Sequence, residues 1–292
     1  MTTDAKVDAA AEAALRLATT STETRNEALA AMATAIEEAS GEILTANAVD
    51  VEQAERQLAA GAYSQALVDR LKLTEAKLAS IVEMVRSVAA QPDPIGQTVS
   101  ARELAPGLDL YEVRVPLGVV AAVFESRPDA LVQIAALGAK SGNAVILKGG
   151  SEAAESNRAL HGVIAEATPM LPAGWSALIE AREDVETVLG RDDAVDLVMP
   201  RGSGEFVAHV EASTRIPVLG HTEGVCHVFI DADADAEMAA AIAMDAKTQY
   251  PAVCNAMETL LVHEAVAADM LPPLVEQLQQ AGVTVRGDAP TR

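Results

Sequence analysis

Strand-like and helix-like segments alternate along the chain after Pro116, and this alternation constrains the fold more than any other feature. Apolar or β-rich runs predict strands, and the segments between them have helical periodicity. The predicted strands cover 118–124, 143–147, 177–179, 196–199, 216–219 and 227–230, and the clearest helices cover 129–140 and 152–167. Because parallel strands need crossover connections, this order predicts an α/β fold with a parallel sheet covered by helices on both faces. Ligands of such sheets bind beside the carboxyl ends of the strands.

The first 115 residues have a different organisation. Residues from about 5 to 90 repeat apolar side chains at helical spacing, which predicts a set of amphipathic helices. Residues 97–115 contain two short extended segments on either side of Pro106-Gly107. Such a pattern predicts a β-hairpin between the helices and the sheet.

The charge balance excludes one large class of function. The chain carries 21 basic and 43 acidic residues, a net charge of −22, and only six of its 292 residues are lysines. A general nucleic-acid binder needs a basic surface, so no nucleic acid is expected as a partner. An acidic, lysine-poor surface favours a halophilic protein that stays soluble in concentrated salt, with an ordinary acidic enzyme as the alternative.

Segment lengths and cysteine usage indicate where the protein works. No apolar stretch is long enough to span a bilayer, and the N-terminus lacks a signal-peptide pattern, so no membrane association is expected. Two cysteines do not make a disulfide framework. The five histidines and these cysteines lack zinc-binding spacing, so no metal is expected. These features predict a soluble protein of the cytoplasm.

Polar and basic residues follow three of the predicted strands. The three groups are Glu125-Ser126-Arg127, Lys148-Gly149-Gly150-Ser151 and Arg201-Gly202-Ser203. Ser151 is a candidate N-cap for the next helix, and Gly149 would let a ligand approach the backbone. Any one group alone is typical of a tight turn with a surface base. Three on one sheet favour an anionic ligand, although the full G-x-G-x-x-G dinucleotide fingerprint is absent.

The segment around Cys254 is the strongest candidate for chemistry. Cys254 follows a Tyr250-Pro251 break and precedes an apolar run at 260–262, so a turn is expected there. A thiol in a turn can be reached by a substrate, and its thiolate is a strong nucleophile. The alternative is that Cys254 is a small buried hydrophobic residue of no chemical importance.

Several segments, taken together, resemble one family. They are Pro116-Leu-Gly-Val-Val, Phe124-Glu-Ser-Arg-Pro-Asp129, Lys140-Ser-Gly-Asn-Ala-Val-Ile-Leu-Lys-Gly-Gly-Ser-Glu152, Pro200-Arg-Gly-Ser203, Gly220-His-Thr-Glu-Gly224 and Tyr250-Pro-Ala-Val-Cys-Asn255. Their sequences and their order closely resemble the γ-glutamyl phosphate reductases, a family of the aldehyde dehydrogenase superfamily.

The resemblance implies an activity and a site. Family members reduce L-glutamyl 5-phosphate to L-glutamate 5-semialdehyde with NADPH, releasing phosphate, in proline biosynthesis. Cys254 falls on the family's nucleophile, and backbone amides near Cys254 and Asn255 would hold the oxyanion. The cofactor residues implied are Lys148 at the adenosine ribose, with Gly149, Ser151, Arg201, Gly202 and Ser203. The implied substrate contacts are Ser126, Arg127, His221 and Glu223. The 219–224 region lacks an obvious water-activating base, which suits a thioester destined for hydride.

The resemblance also implies an architecture. Residues 1–228 would form an NADP-binding domain, whose 97–115 hairpin serves as an oligomerisation arm of a homodimer or tetramer. Residues 229–292 would form the N-terminal part of an incomplete α/β catalytic domain, because family members continue further. A truncated enzyme, a split enzyme and a subunit that binds nucleotide or a partner without activity remain alternatives. So does another oxidoreductase of the superfamily.

Overall fold

The structure is a computed structural model that describes residues 1–125, 127–202, 204–220, 224–251 and 253–291. The chain forms two compact units, residues 1–222 and 223–292. The division lies six residues before the predicted boundary at 228. It does so because the strand Cys226–Ile230 pairs with Met257–Val262 and therefore belongs to the second unit.

Five helices open the first unit, as the periodicity of residues 5–90 predicts. They are α1 (Thr3–Leu17), α2 (Thr22–Glu38), α3 (Ser40–Ala59), α4 (Gln65–Leu71) and α5 (Glu75–Ala90). Four of them begin after a hydroxyl side chain that accepts a hydrogen bond from a first-turn amide, which stabilises the helix start. These caps are Thr2, Ser21, Ser64 and Thr74.

The predicted hairpin follows the helices. Strand β1 (Thr98–Ala105) pairs antiparallel with β2 (Leu108–Val113), and Gly107 turns the chain between them with a φ of 80°. Every residue of both strands is exposed. The hairpin therefore contributes nothing to the core of its own unit.

The central sheet of the first unit is parallel, which confirms the predicted fold class. Its strands are β3 (Val119–Phe124), β4 (Ala144–Lys148), β5 (Ser176–Leu178) and β6 (Leu197–Arg201), in the order β5-β4-β3-β6. The connecting helices are α6 (Pro128–Ser141), a 3-10 turn (Ser151–Ala153), α7 (Ala154–Ala167), α8 (Arg182–Leu189) and α9 (Gly204–Ser213). The strand expected at 216–219 forms only an isolated bridge between Val198 and Val218.

A buried ionic network joins the N-terminal helices to the helix that follows β3. Arg25 of α2 is 2% exposed and lies 2.6 Å from the Asp93 carboxylate, and its other terminal nitrogen donates to the carbonyl of Lys140 at 2.6 Å. The Lys140 ammonium, on α6, donates to Asn26 at 2.8 Å and to the carbonyl of Ala89 at 2.9 Å. The network therefore connects α2, α5 and α6 with the segment that leads into the hairpin.

The second unit has its own small core. Strand β7 (Cys226–Ile230) pairs parallel with β8 (Met257–Val262), and helices α10 (Ala236–Thr248) and α11 (Glu264–Gln280) supply the remaining apolar side chains. The Asp235 side chain caps α10 by accepting from the amide of Met238. The buried core residues are Ile230, Ala239, Ala243, Met257, Leu274 and Leu278.

Candidate active site

The register of the parallel sheet brings the three predicted strand ends to one edge. Lys148, at the end of β4, pairs with Val123 of β3, and Arg201, at the end of β6, pairs with Phe124. Neighbouring strands lie about 4.8 Å apart, so these two bases lie on either side of the segment that follows Phe124. Lys148 is half-buried, whereas Glu125 and Arg201 are exposed. The edge can therefore present positive charge to an anionic ligand.

Gly149 is required by packing against helix α7. A Cβ atom at Gly149 would overlap the side-chain nitrogen of Asn157 and lie 3.2 Å from Cε2 of Phe124. Asn157 is 3% exposed, and its side-chain oxygen is buried without a hydrogen-bond partner among the described residues. Asn157 lines a cavity of about 20 Å³ together with Gly150, Ser151 and Glu180. Nothing in the local sequence distinguishes Asn157 from a surface helix residue.

The predicted N-cap role of Ser151 is wrong. Ser151 begins a 3-10 turn and makes no capping hydrogen bond, and α7 starts three residues later. The carboxylate of Asp50, on α3, accepts instead from the α7 amides of Glu155 at 3.2 Å and Ser156 at 2.8 Å. It also accepts from the Ser156 hydroxyl at 2.6 Å. These two amides are therefore satisfied within the protein and cannot also hold a phosphate.

The turn after β6 lies against the end of β3. A Cβ at Gly202 would come within 2.8 Å of the Glu125 carboxylate and 3.1 Å of the Phe206 ring. Because these contacts are with the end of the exposed Glu125 side chain and the edge of a ring, a larger residue at 202 would require only that these groups shift. The sequence signals for these loops were separate, and only the fold brings Glu125 beside Gly202.

Four predicted site residues lie outside the described part of the chain: Ser126, Ser203, His221 and Glu223. Arg127 is half-buried and precedes α6, where its carbonyl accepts a hydrogen bond from the amide of Ala130. The proline that follows it occupies the first helical position, where a missing amide hydrogen costs nothing.

Cys254 lies in a turn between α10 and β8, where the sequence predicts it, and both Cys254 and Asn255 are exposed. The carbonyl oxygen of Cys254 accepts a hydrogen bond from the Cys226 thiol at 3.3 Å. A Cβ at Gly224 would overlap the same carbonyl oxygen, so glycine is required where the chain enters β7. The nucleophilic role of Cys254 stays a prediction.

Lys247 has a structural partner in the second unit. Its ammonium donates to the carbonyl of Met257 at 2.9 Å, which ties the end of α10 to the start of β8. The two elements flank the Cys254 turn, so this hydrogen bond fixes the ends of the turn.

The described residues contain neither a cluster of metal ligands nor a membrane-spanning helix. No group of three or more His, Cys, Asp or Glu side chains among them is arranged to hold a metal ion. No helix within the described ranges combines the length and apolar character that crossing a membrane requires.

The Gly149–Asn157 contact predicts a strong coupling between two substitutions. Gly149→Ala should destabilise the first unit by about 1–3 kcal/mol, because the new methyl group is forced into Asn157. In an Asn157→Ala background the clashing nitrogen is gone, and the cost of Gly149→Ala should fall by about 1 kcal/mol or more. Denaturant unfolding of the four proteins at one salt concentration measures both values.

Gly162→Ala provides the matched control, because no atom lies within 4 Å of a Cβ at this α7 position. Alanine there should stabilise the helix by roughly 0.5–1 kcal/mol. An unchanged cost of Gly149→Ala in the Asn157→Ala background would contradict the packing explanation.

Comparisons with known proteins agree with this architecture. The sequence model of the aldehyde dehydrogenase family matches residues 1–290. The chain is 65% identical over 291 residues to the γ-glutamyl phosphate reductase of Natronomonas pharaonis, and 62% identical to that of Haloquadratum walsbyi. It spans 66% and 64% of the lengths of these relatives, while they cover the whole of this chain.

Two solved structures also match this chain. The γ-glutamyl phosphate reductase of Thermotoga maritima matches 99% of this chain at 36% identity with a TM-score of 0.91, and the chain covers 70% of that protein. The yeast γ-glutamyl phosphate reductase matches 99% of this chain at 35% identity with a TM-score of 0.71. The chain therefore belongs to the aldehyde dehydrogenase family and, within it, to the γ-glutamyl phosphate reductases.

Proposed function

We propose that this chain carries out the NADPH-dependent reduction of L-glutamyl 5-phosphate to L-glutamate 5-semialdehyde, with release of phosphate, in proline biosynthesis. The observation that carries the proposal is the exposed thiol of Cys254, presented on a turn between α10 and β8. The relatives named γ-glutamyl phosphate reductase support the reaction.

The chemistry follows from the nucleophile. The Cys254 thiolate attacks the acyl carbon, a C–S bond forms, and the C–O bond to phosphate breaks, leaving a thioester. Backbone amides near Cys254 and Asn255 stabilise the oxyanion, and one such donor is typically worth about 3 kcal/mol. NADPH would supply the hydride that reduces the thioester carbon. The aldehyde then leaves as Cys254 recovers its thiolate.

The sheet edge of the first unit fits an anionic cofactor. Lys148 and Arg201 bring two positive charges to the ends of β4 and β6, the strands on either side of β3. Gly149, Ser151, Gly202 and Ser203 complete the proposed cofactor residues. The Asn157 oxygen, buried and without a partner among the described residues, adds an acceptor beside Ser151. Substrate contacts by Ser126, Arg127, His221 and Glu223 remain part of the proposal.

Lys148→Ala is predicted to weaken the binding of NADPH far more than the binding of NADH. A 2′-phosphate needs a cation, and loss of a charge-assisted hydrogen bond of about 1.5–3 kcal/mol corresponds to roughly a 10- to 100-fold weaker Kd. NADH lacks that phosphate, so its Kd should change little. Fluorescence titrations measure the two dissociation constants. The salt concentration is held fixed, because phosphate contacts are salt-dependent.

The matched control is Lys72→Ala, which removes an exposed lysine paired with Glu55 at 2.8 Å on the N-terminal helices. It should leave both affinities unchanged. Equal weakening of NADPH and NADH by Lys148→Ala would remove the 2′-phosphate assignment.

We also propose that the protein is a homo-oligomer assembled through the hairpin. Two isolated strands are marginally stable in water, so a second surface is needed to cover them. Leu108, Leu110 and Tyr111 are each more than half exposed, which supplies apolar area for such a contact. The net charge of −22 supports work in concentrated salt, and the cytoplasmic location stays a prediction.

NADPH oxidation tests the proposed function. The assay uses the 292-residue chain in molar salt, with L-glutamyl 5-phosphate generated in place by glutamate kinase. A parallel assay uses the chain joined to the part of the Natronomonas pharaonis relative that it does not cover. Turnover by the chain alone supports the proposal directly. Turnover by the joined protein alone supports the alternative that these residues bind nucleotide without acting alone. If both proteins are folded and neither turns over, the proposed reaction is contradicted.

A further inference from the structure

The only two cysteines of the sequence lie together in the second unit. Cys226 is the first residue of β7, and Cys254 lies on the turn that precedes β8, 28 residues further along the chain. Pairing of Cys226 with Met257 across the two strands holds the first cysteine beside this turn. The Cys226 thiol is partly buried, whereas Cys254 is exposed.

The Cys226 thiol contacts the backbone of Cys254 directly. The Cys226 sulfur lies 3.3 Å from the carbonyl oxygen of Cys254. A carbonyl oxygen is about 2.4 Å from the Cα of its own residue, and a cysteine sulfur is about 2.8 Å from its own Cα, so the two Cα atoms lie within roughly 8.5 Å of each other. Bridged cysteines have Cα atoms about 4.4–6.8 Å apart, so a disulfide requires the exposed turn to bring Cys254 into this range.

We propose that Cys226 is a resolving thiol that forms a reversible disulfide with Cys254 when the protein meets hydrogen peroxide. The Cys254 thiolate attacks one oxygen of the peroxide, the O–O bond breaks, and a sulfenic acid and one water form. The Cys226 thiolate then attacks the Cys254 sulfur, the S–O bond breaks, and a second water leaves. Overall, two thiols are oxidised and one peroxide is reduced to two waters.

A disulfide between Cys226 and Cys254 would protect Cys254 from irreversible oxidation. An exposed thiol that forms a sulfenic acid is open to further, irreversible oxidation unless a neighbouring thiol intercepts it. Cys226 already contacts the backbone of Cys254, so interception needs no encounter with another molecule. The disulfide removes the proposed nucleophile, and a thiol reductant restores it. This inference deepens the proposed function, because it adds a protected state of the same thiol.

Peptide mass mapping tests the inference without any assay of turnover. The chain is treated with one equivalent of hydrogen peroxide, its free thiols are alkylated in denaturant, and it is digested with trypsin without reductant. Cleavage after Arg215, Lys247 and Arg286 places the cysteines on separate peptides, 216–247 and 248–286. The expected product is the pair of peptides joined, lighter by two hydrogen atoms, and separated by a thiol reductant.

Cys226→Ser is the matched variant, because its hydroxyl can still donate to the Cys254 carbonyl but cannot form a disulfide. Dimedone, which traps sulfenic acids, should label Cys254 in this variant and in Cys226→Ala, and label the wild-type protein far less. Dimedone-labelled or sulfinic Cys254 in the wild-type protein, with the two peptides unlinked, would overturn the proposal. A disulfide between two copies of the chain would overturn it as well. Because the readout is a mass, failure of the reductase assay leaves this result unaffected.

Discussion

Cys254→Ala is expected to abolish turnover, by a factor of at least about 10⁴, because the substitution removes the covalent route to the aldehyde. Cofactor affinity should remain nearly unchanged, since the proposed cofactor residues lie in the first unit and Cys254 lies in the second. NADPH oxidation and NADPH titration on the same preparation measure the two quantities. The form tested is whichever protein turns over, the chain alone or the joined protein.

The pattern of losses distinguishes a nucleophile from a structural cysteine. Circular dichroism of Cys254→Ala should match the parent protein, because an exposed side chain contributes little to the core. Turnover within tenfold of the parent would reject Cys254 as the nucleophile. A parallel loss of cofactor binding and of secondary structure would indicate misfolding instead.

Arg25→Met is expected to destabilise the first unit by about 3–5 kcal/mol, because the substitution leaves a partly buried carboxylate without its ion-pair partner. The side chain of Arg25 is 3% exposed and that of Asp93 is 21% exposed, so water can replace the lost contact only in part. The carbonyl of Lys140 loses a donor at the same time. Denaturant unfolding measures the change.

An exposed ion pair between α2 and α5 provides the control. Arg86 of α5 lies 2.6 Å from Glu37 of α2, with the side chains 49% and 60% exposed. Arg86→Met should cost no more than about 1 kcal/mol, because water and salt screen exposed pairs. Equal costs at Arg25 and Arg86 would show that burial does not decide the strength of these contacts.

The pH dependence of stability gives a second check on the network. Burial by itself raises the pKa of Asp93, but hydrogen bonds from Thr22, the amide of Ile95 and Arg25 outweigh it and hold the pKa below its ordinary value. The unfolded state therefore binds the proton more readily than the folded state. The stability that Asp93 contributes is present above about pH 3.9, the ordinary pKa of an aspartate, and is lost as pH falls through the lower folded pKa. Asp93→Asn should lack this part of the acid sensitivity.

Local signals in the sequence account for the elements that the structure contains. The apolar run at 118–124 and the β-rich segment at 143–147 predict buried parallel strands, and both strands are buried along nearly their whole length. The Pro251 break correctly predicts the turn that exposes Cys254. These features succeed because strand burial and turn geometry depend on residues that are neighbours in the chain.

Contacts between distant residues account for what the sequence could not predict. Ser151 has the spacing of an N-cap, yet Asp50 caps α7 from 105 residues away. The sequence predicts that Gly149 lies in a ligand-binding turn. In the structure, a side chain at this position would overlap Asn157. The chemistry of each residue is therefore in the sequence. Which carboxylate meets which amide, and which thiol meets Cys254, depends on how helices and strands pack, since that packing alone brings distant side chains within hydrogen-bonding distance.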